Sequence, residues 1–165
     1  MSTENATTAT LLSPQELLKH WQGHRGLTRR VIEAFPEKEL FEYTIGGMRT
    51  FAHLAMEIID LTGPGAKGIA TDDWGPKDMP HITGNNMPAT KAELLERWDA
   101  TTIELETYWP QIDDFEKSIV AFGQYPGTAL SMALYFIDNE IHHRGQGYVY
   151  LRGLGIEPPF FWDRP

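Results

Sequence analysis

Residues 129–155, ALSMALYFIDNEIHHRGQGYVYLRGLG, restrict the possible folds of this chain more than any other stretch. The pattern predicts one long helix, apolar at both ends and polar in the middle. Ala129, Met132, Phe136, Asn139, His143, Gly147, Tyr150 and Leu154 recur at steps of three or four and so share a face. That face should meet a core, yet its centre carries an amide and an imidazole, with Glu140 and His142 beside them. Polar groups turned inward need partners: other side chains, water or a metal.

Three more helical periods precede it. Ser13-Pro14-Gln15-Glu16 reads as a capping box with proline in the first turn, opening a helix that stops before Pro36. Its inner face is Leu17, Trp21, His24, Thr28, Val31 and Phe35. His20 and His24 stand four apart, a chelating spacing, although a solvated His20 with His24 hydrogen-bonded in the core is the commoner arrangement. The second helix is expected over residues 48–61, ended by Thr62-Gly63-Pro64-Gly65, with Phe51, Leu54 or Ala55, Ile58 and Leu61 inward. His53 and Glu57 are also four apart; Glu57 sits at the stripe's edge, where an ion pair with Arg49 or Arg30 is the plain alternative to a functional role.

The third helix begins at a second capping box, Thr90 with Glu93, and ends at Pro110, with Leu94, Trp98, Thr101, Leu105 and Tyr108 inward. Between the second and third helices, residues 63–89 hold five Gly and four Pro and read as a long crossover. Such a segment can lay Trp74, Met79 and His81 over one end of a bundle, or be an ordered surface loop. Residues 111–128 are either a short strand and turn or an irregular lead-in. Three consecutive aromatics, Phe160, Phe161 and Trp162, follow Pro158-Pro159 and are expected to bury themselves on the bundle or on a second subunit. The expected architecture is therefore all-α: an antiparallel four-helix bundle with a long crossover between its second and third helices. Residues 1–12 are expected to be a disordered extension, and 13–165 a single domain.

Composition removes several function classes. A net charge of −9 and a pI near 5.1, with no Lys/Arg run longer than two, argue against nucleic acid and anionic membrane surfaces as partners. There is no cysteine, which excludes disulfides, protein thiolate catalysis and Cys-based zinc sites. No signal peptide or membrane span is legible, so a cytoplasmic protein is expected.

Spacing permits metal chemistry without requiring it. Glu140 and His143 form a Glu-x-x-His pair, but a di-iron bundle needs a second one and the chain has none. A mononuclear site needs three ligands and an open position; His143 with Glu57 or His53 can begin one, with Asn139 adding a weak amide oxygen. The structural account pairs Glu140 with Arg144 on the surface, leaves His142 in solvent, and bonds Asn139 and His143 to each other or to water.

The segment EIHHRGQGYVYLRGLG at 140–155 followed by Pro158-Pro159, MRTFAHLAMEI at 48–58 and GIATDDW at 68–74 resemble the DinB-like family of four-helix bundles from Leu12 onward. The resemblance implies an up-down-down-up bundle, often dimeric, commonly holding one divalent metal (Zn, Ni or Mn) on three histidines. It also implies thiol-dependent transferase or isomerase chemistry with a low-molecular-weight thiol as co-substrate. On that alignment the three ligand positions fall on Glu57, Asn139 and His143, so that one of the three keeps the family's residue type and His53 is a substitute. The implied function is a metal-dependent enzyme with a degenerate ligand set; the alternative is a metal-free small-molecule-binding or interaction protein.

Overall fold

A computed structural model describes residues 11–164; most of the expected N-terminal extension lies outside them. The chain runs α1 (Pro14–Ala34), α2 (Glu37–Glu42), α3 (Phe51–Thr71), α4 (Pro80–Thr83), α5 (Lys91–Tyr108), β1 (Ser118–Ala121), β2 (Tyr125–Thr128) and α6 (Ala129–Gly153). The long helices α1, α3, α5 and α6 form the bundle. α1 packs on α5 and α6, and α3 packs on the same two, which leaves α1 and α3 diagonal.

Side-chain contacts give the directions. Trp21 meets Glu140 and Thr28 meets Arg144, so α1 and α6 run parallel. Glu57 meets Asn139 while Gly65 abuts Phe136, so α3 runs against α6. Arg25 reaches Thr102 and Arg29 reaches Asp99, so α5 runs against α1. The bundle is thus up-down-down-up, and the chain between α3 and α5 crosses it because two parallel neighbours cannot be joined by a tight turn.

Local chemistry explains most boundaries. Ser13 and Glu16 close the predicted capping box, with Glu16 N–H donating to Ser13 Oγ at 3.2 Å and Ser13 N–H to Glu16 Oε2 at 2.9 Å. Thr90 caps α5 from its hydroxyl, and Pro110 converts the end of α5 into a single 3-10 turn. Thr128 and Ser131 form a further capping box that starts α6.

The end of α3 is a correction. The helix does not stop at residue 61 but continues through Pro64 to Thr71, where Asp72 closes it in a left-handed conformation. Proline here forfeits one helical hydrogen bond. The neighbouring glycines serve close approach: a Cβ on Gly65 would lie 2.4 Å from the Phe136 ring, and one on Gly68 2.3 Å from Trp74. The crossover is accordingly shorter than expected and contains α4. The stretch 111–128 resolves as a hairpin, β1 antiparallel to β2 with Ser118 opposite Thr128.

Two apolar clusters fill the interior. One gathers Val31, Phe35, Phe51, Ile58, Trp98 and Tyr150; the other gathers Leu17, Trp21, Leu105, Trp109, Ala129 and Phe136. Along every bundle helix buried polar residues fall between them, among them Arg25 and Thr28 on α1, Thr62 on α3, Thr101 on α5 and Glu140 and Arg144 on α6, so a polar layer crosses the bundle at mid-height. No helix of the described residues is long and apolar enough to cross a membrane.

Candidate functional site

The predicted residues Glu57, Asn139 and His143 do come together, on the facing sides of α3 and α6. Glu57 Oε1 accepts from Asn139 Nδ2 at 2.9 Å and lies 3.0 Å from His143 Nε2. Its other oxygen accepts from Arg49 Nη2 at 2.6 Å, the ion pair foreseen as the plain alternative. His143 Nδ1 is 3.3 Å from Gln146 Oε1. His143 beside it holds the Glu57 carboxyl well below the usual carboxylate range, helped by Asn139 and Arg49 and opposed by partial burial. Asn139 Oδ1 and His143 Nε2 are buried without a well-directed hydrogen bond, and the Asn139–His143 bond, one of the alternatives for these side chains, is not formed.

His53 turns elsewhere. Its Nε2–H donates to the carbonyl of His81 at 2.6 Å, tying α3 to the crossover. His81 in turn is held by Asp60, three residues beyond Glu57, which accepts from the His81 backbone N–H at 3.0 Å and from ring Nδ1 at 2.7 Å. The sequence left His81 either over the opening or on a surface loop and gave no sign of Asp60, because an Asp beside an apolar stripe does not announce a partner twenty-one residues away.

A cavity of about 550 Å³ opens beside Glu57. Its wall is largely apolar and aromatic: Leu61, Trp74, Phe122, Met132, Tyr135 and Phe136, with Lys77, His81 and Gln124 as polar members. Trp74 lies 5.1 Å from Phe122, and Phe122 6.3 Å from Phe136, ring centre to ring centre. Phe122 has φ of +53°, a left-handed conformation that costs a non-glycine residue about 1 kcal/mol or more. The strain is local to the hairpin turn that presents this ring to the cavity.

Glu140 and Arg144 are not a surface pair. Both are buried, in the polar layer. Glu140 accepts from Thr28 Oγ1 at 2.6 Å and from Trp21 Nε1 at 3.1 Å, and lies 3.8 Å from Arg25 Nη1. Arg144 donates to the His24 carbonyl, to Thr28 Oγ1 and to His24 Nδ1. Burial raises the Glu140 carboxyl, and Arg25 is the largest influence opposing it. His20 and His24 bring their Nε2 atoms to 3.1 Å, His20 exposed and His24 buried. The signal for this layer was in the sequence: Ala133, Ile137, Glu140, Arg144 and Leu151 form a second inward stripe on α6, as a helix flanked by two neighbours requires.

The aromatic tail is also a correction for this chain taken alone. Asp163 and Arg164 fold back on α1, pairing with Arg30 and reaching His24, but Phe160, Phe161 and Trp162 stay more than half exposed.

These features define an up-down-down-up four-helix bundle with a carboxylate-centred polar cluster between its second and last bundle helices. The DinB family profile matches residues 1–163, and the chain belongs to that family. It is similar in fold to a DinB-like protein of Bacillus cereus (TM-score 0.68, 16% identity, 90% of this chain and 97% of that one). It is likewise similar to YjoA, a DinB-like protein of Bacillus subtilis (TM-score 0.67, 19% identity, 88% and 96%). No curated protein matches the sequence.

The resemblance implies a divalent metal at this cluster, and the donor set does not suit one. Both Glu57 oxygens already accept from donors, Arg49 supplies a cation at 2.6 Å, and Asn139 turns its NH₂ rather than its oxygen to the carboxylate. Among the described residues no three His, Asp or Glu side chains converge on one point.

Proposed function

We propose that this protein binds a small apolar molecule in the cavity beside Glu57 without a resident metal. The observation that carries the reading is the charge balance of Glu57: its carboxylate is already paired with Arg49, beside a pocket of ligand-sized volume. Ion-pair neutralisation of this kind does for the cluster what a cation does elsewhere. Para-nitroanisole, an uncharged aromatic probe, should bind and quench Trp74. The cavity-filling substitution Met132→Trp should weaken binding at least about tenfold, the worth of roughly 1.4 kcal/mol. Absence of saturable quenching would remove the reading.

A second reading, a metal-dependent thiol transferase or isomerase on Glu57, Asn139 and His143, is favoured by one observation: the unpartnered Asn139 Oδ1 and His143 Nε2. Elemental analysis of untagged protein separates the two. The metal-free reading expects well under one equivalent of Zn, Ni or Mn, rising in Asn139→His; one equivalent lost in His143→Ala would favour the enzyme.

We also propose a homodimer, with Phe160, Phe161 and Trp162 as the apolar contact. Light scattering should report two chains for the native protein and one for Phe161→Ser/Trp162→Ser.

A further inference from the structure

The Asp60–His81 pair has no part in the Glu57 cluster, yet it is built more carefully than docking a loop requires. One hydrogen bond, from the His81 backbone N–H to Asp60 Oδ2 at 3.0 Å, already ties α4 to α3. Two further contacts fix the ring and the backbone respectively. Nδ1 lies 2.7 Å from the same carboxylate oxygen, and the His81 carbonyl accepts from His53 Nε2–H. A carboxylate only accepts, so Nδ1 carries the proton and Nε2 of the neutral ring presents a lone pair. Both side chains are largely buried, with 11% and 9% of their surfaces exposed. His81 lines the cavity, and its Nε2 has no hydrogen-bond partner among the described residues. The pair therefore offers the cavity a tautomer-locked proton acceptor backed by a carboxylate.

We propose that His81, oriented by Asp60, is the proton acceptor of this cavity, and that its ligand is a phenol: an aromatic body carrying one weakly acidic hydroxyl. This rests on the small-molecule reading above. The aromatic body lies against Trp74, Phe122 and Phe136, and the hydroxyl donates to His81 Nε2. On proton transfer the phenol O–H bond breaks and an Nε2–H bond forms. The phenolate oxygen stays hydrogen-bonded to the imidazolium, whose charge faces Asp60. The other charged groups at the cavity are Glu57 on α3 and Lys77 on the crossover. Glu57 is balanced by Arg49 and touches His143 of α6, which leaves Lys77 as the cation available to a phenolate.

Para-nitrophenol tests this, because only its phenolate is yellow, and para-nitroanisole has nearly the same shape without the proton. At a pH where free para-nitrophenol is colourless, the protein should bind it at least about tenfold tighter than para-nitroanisole, as a charge-assisted hydrogen bond allows. The bound compound should turn yellow. His81→Gln should abolish that preference and the colour, so that the two compounds bind the variant with equal affinity, and saturable para-nitroanisole binding shows that its pocket survives. Asp60→Asn, which can donate to Nδ1 and turn Nε2 into a donor, should reduce the preference too. Equal affinity for the two compounds, or a preference that persists in His81→Gln, overturns the inference and leaves the pocket standing. Failure of both compounds to bind overturns the pocket and the inference together.

Discussion

The His24 imidazole sits between two guanidinium groups, with Arg144 Nη2 at 3.0 Å from Nδ1 and Arg164 Nη1 at 2.9 Å from Nε2. Burial first, then Arg144, His20 and Arg164, lower its pKa from 6.5 to about 3. The unfolded chain takes up this proton near 6.5 and the folded chain does not until about 3, so the unfolded state gains protons first as pH falls. His24's contribution is therefore complete above pH 6.5 and is lost progressively down to about 3. Glu57, also depressed, adds a loss of the same sign beginning lower, as pH drops through the usual carboxylate range. Glu140, raised by burial, works in the opposite direction. The His24 part is thus isolated by difference. Urea midpoints of the native protein and His24→Gln should diverge least at acid pH and most above pH 6.5, with the variant showing the flatter curve. Parallel curves across that window would mean that His24 is protonated in the fold.

Elements with chemical punctuation at their ends were legible; elements ended or continued by tertiary contact were not. α1 and α5 begin at Ser13 and Thr90 because hydroxyl caps satisfy backbone N–H groups locally, which a sequence records. The continuation of α3 past Gly63-Pro64-Gly65 depends on what lies across from it. Glu104 and Thr101 crowd Gly63, and Phe136 crowds Gly65, so small residues let neighbouring helices approach where the sequence suggested a stop. The candidate site divides in the same way. Glu57, Asn139 and His143 were found by face and family position, and their meeting needed only the pairing of α3 with α6. Asp60, four residues before Pro64, gained meaning only when α4 docked and brought His81 to it. Phe122 stayed hidden because its place at the cavity depends on a left-handed turn, which a phenylalanine does not announce.

Across the whole molecule, the polar layer joins all four bundle helices through one guanidinium, Arg25, and its partner carboxylate, Glu140. Arg25 of α1 donates to Thr102, Thr101 and the Trp98 carbonyl on α5 and to Thr62 on α3, and its guanidinium lies 4.0 Å over the Trp98 ring. Glu140 of α6 is the buried anion facing Arg25, and it also feels the charge of Arg144. One carboxylate thus answers two buried guanidinium groups, which makes its removal and theirs unequal. Glu140→Gln removes the main counter-charge of both buried cations, leaving Arg25 only the weaker pull of Asp99 and Glu106, and should cost about 3–5 kcal/mol, the range for breaking a buried pair. Arg25→Met leaves Glu140 with Arg144, Thr28 and Trp21. The threonines Arg25 releases already donate to main-chain carbonyls of their own helices, Thr62 to Ile58 and Thr101 to Trp98. Its loss should therefore cost less, about 1–2 kcal/mol, with the methionine filling part of the volume. Denaturant unfolding of the two variants decides the matter. If Arg25→Met proves the more damaging, the layer is held by the guanidinium's hydrogen bonds to α3 and α5 rather than by the charge of Glu140.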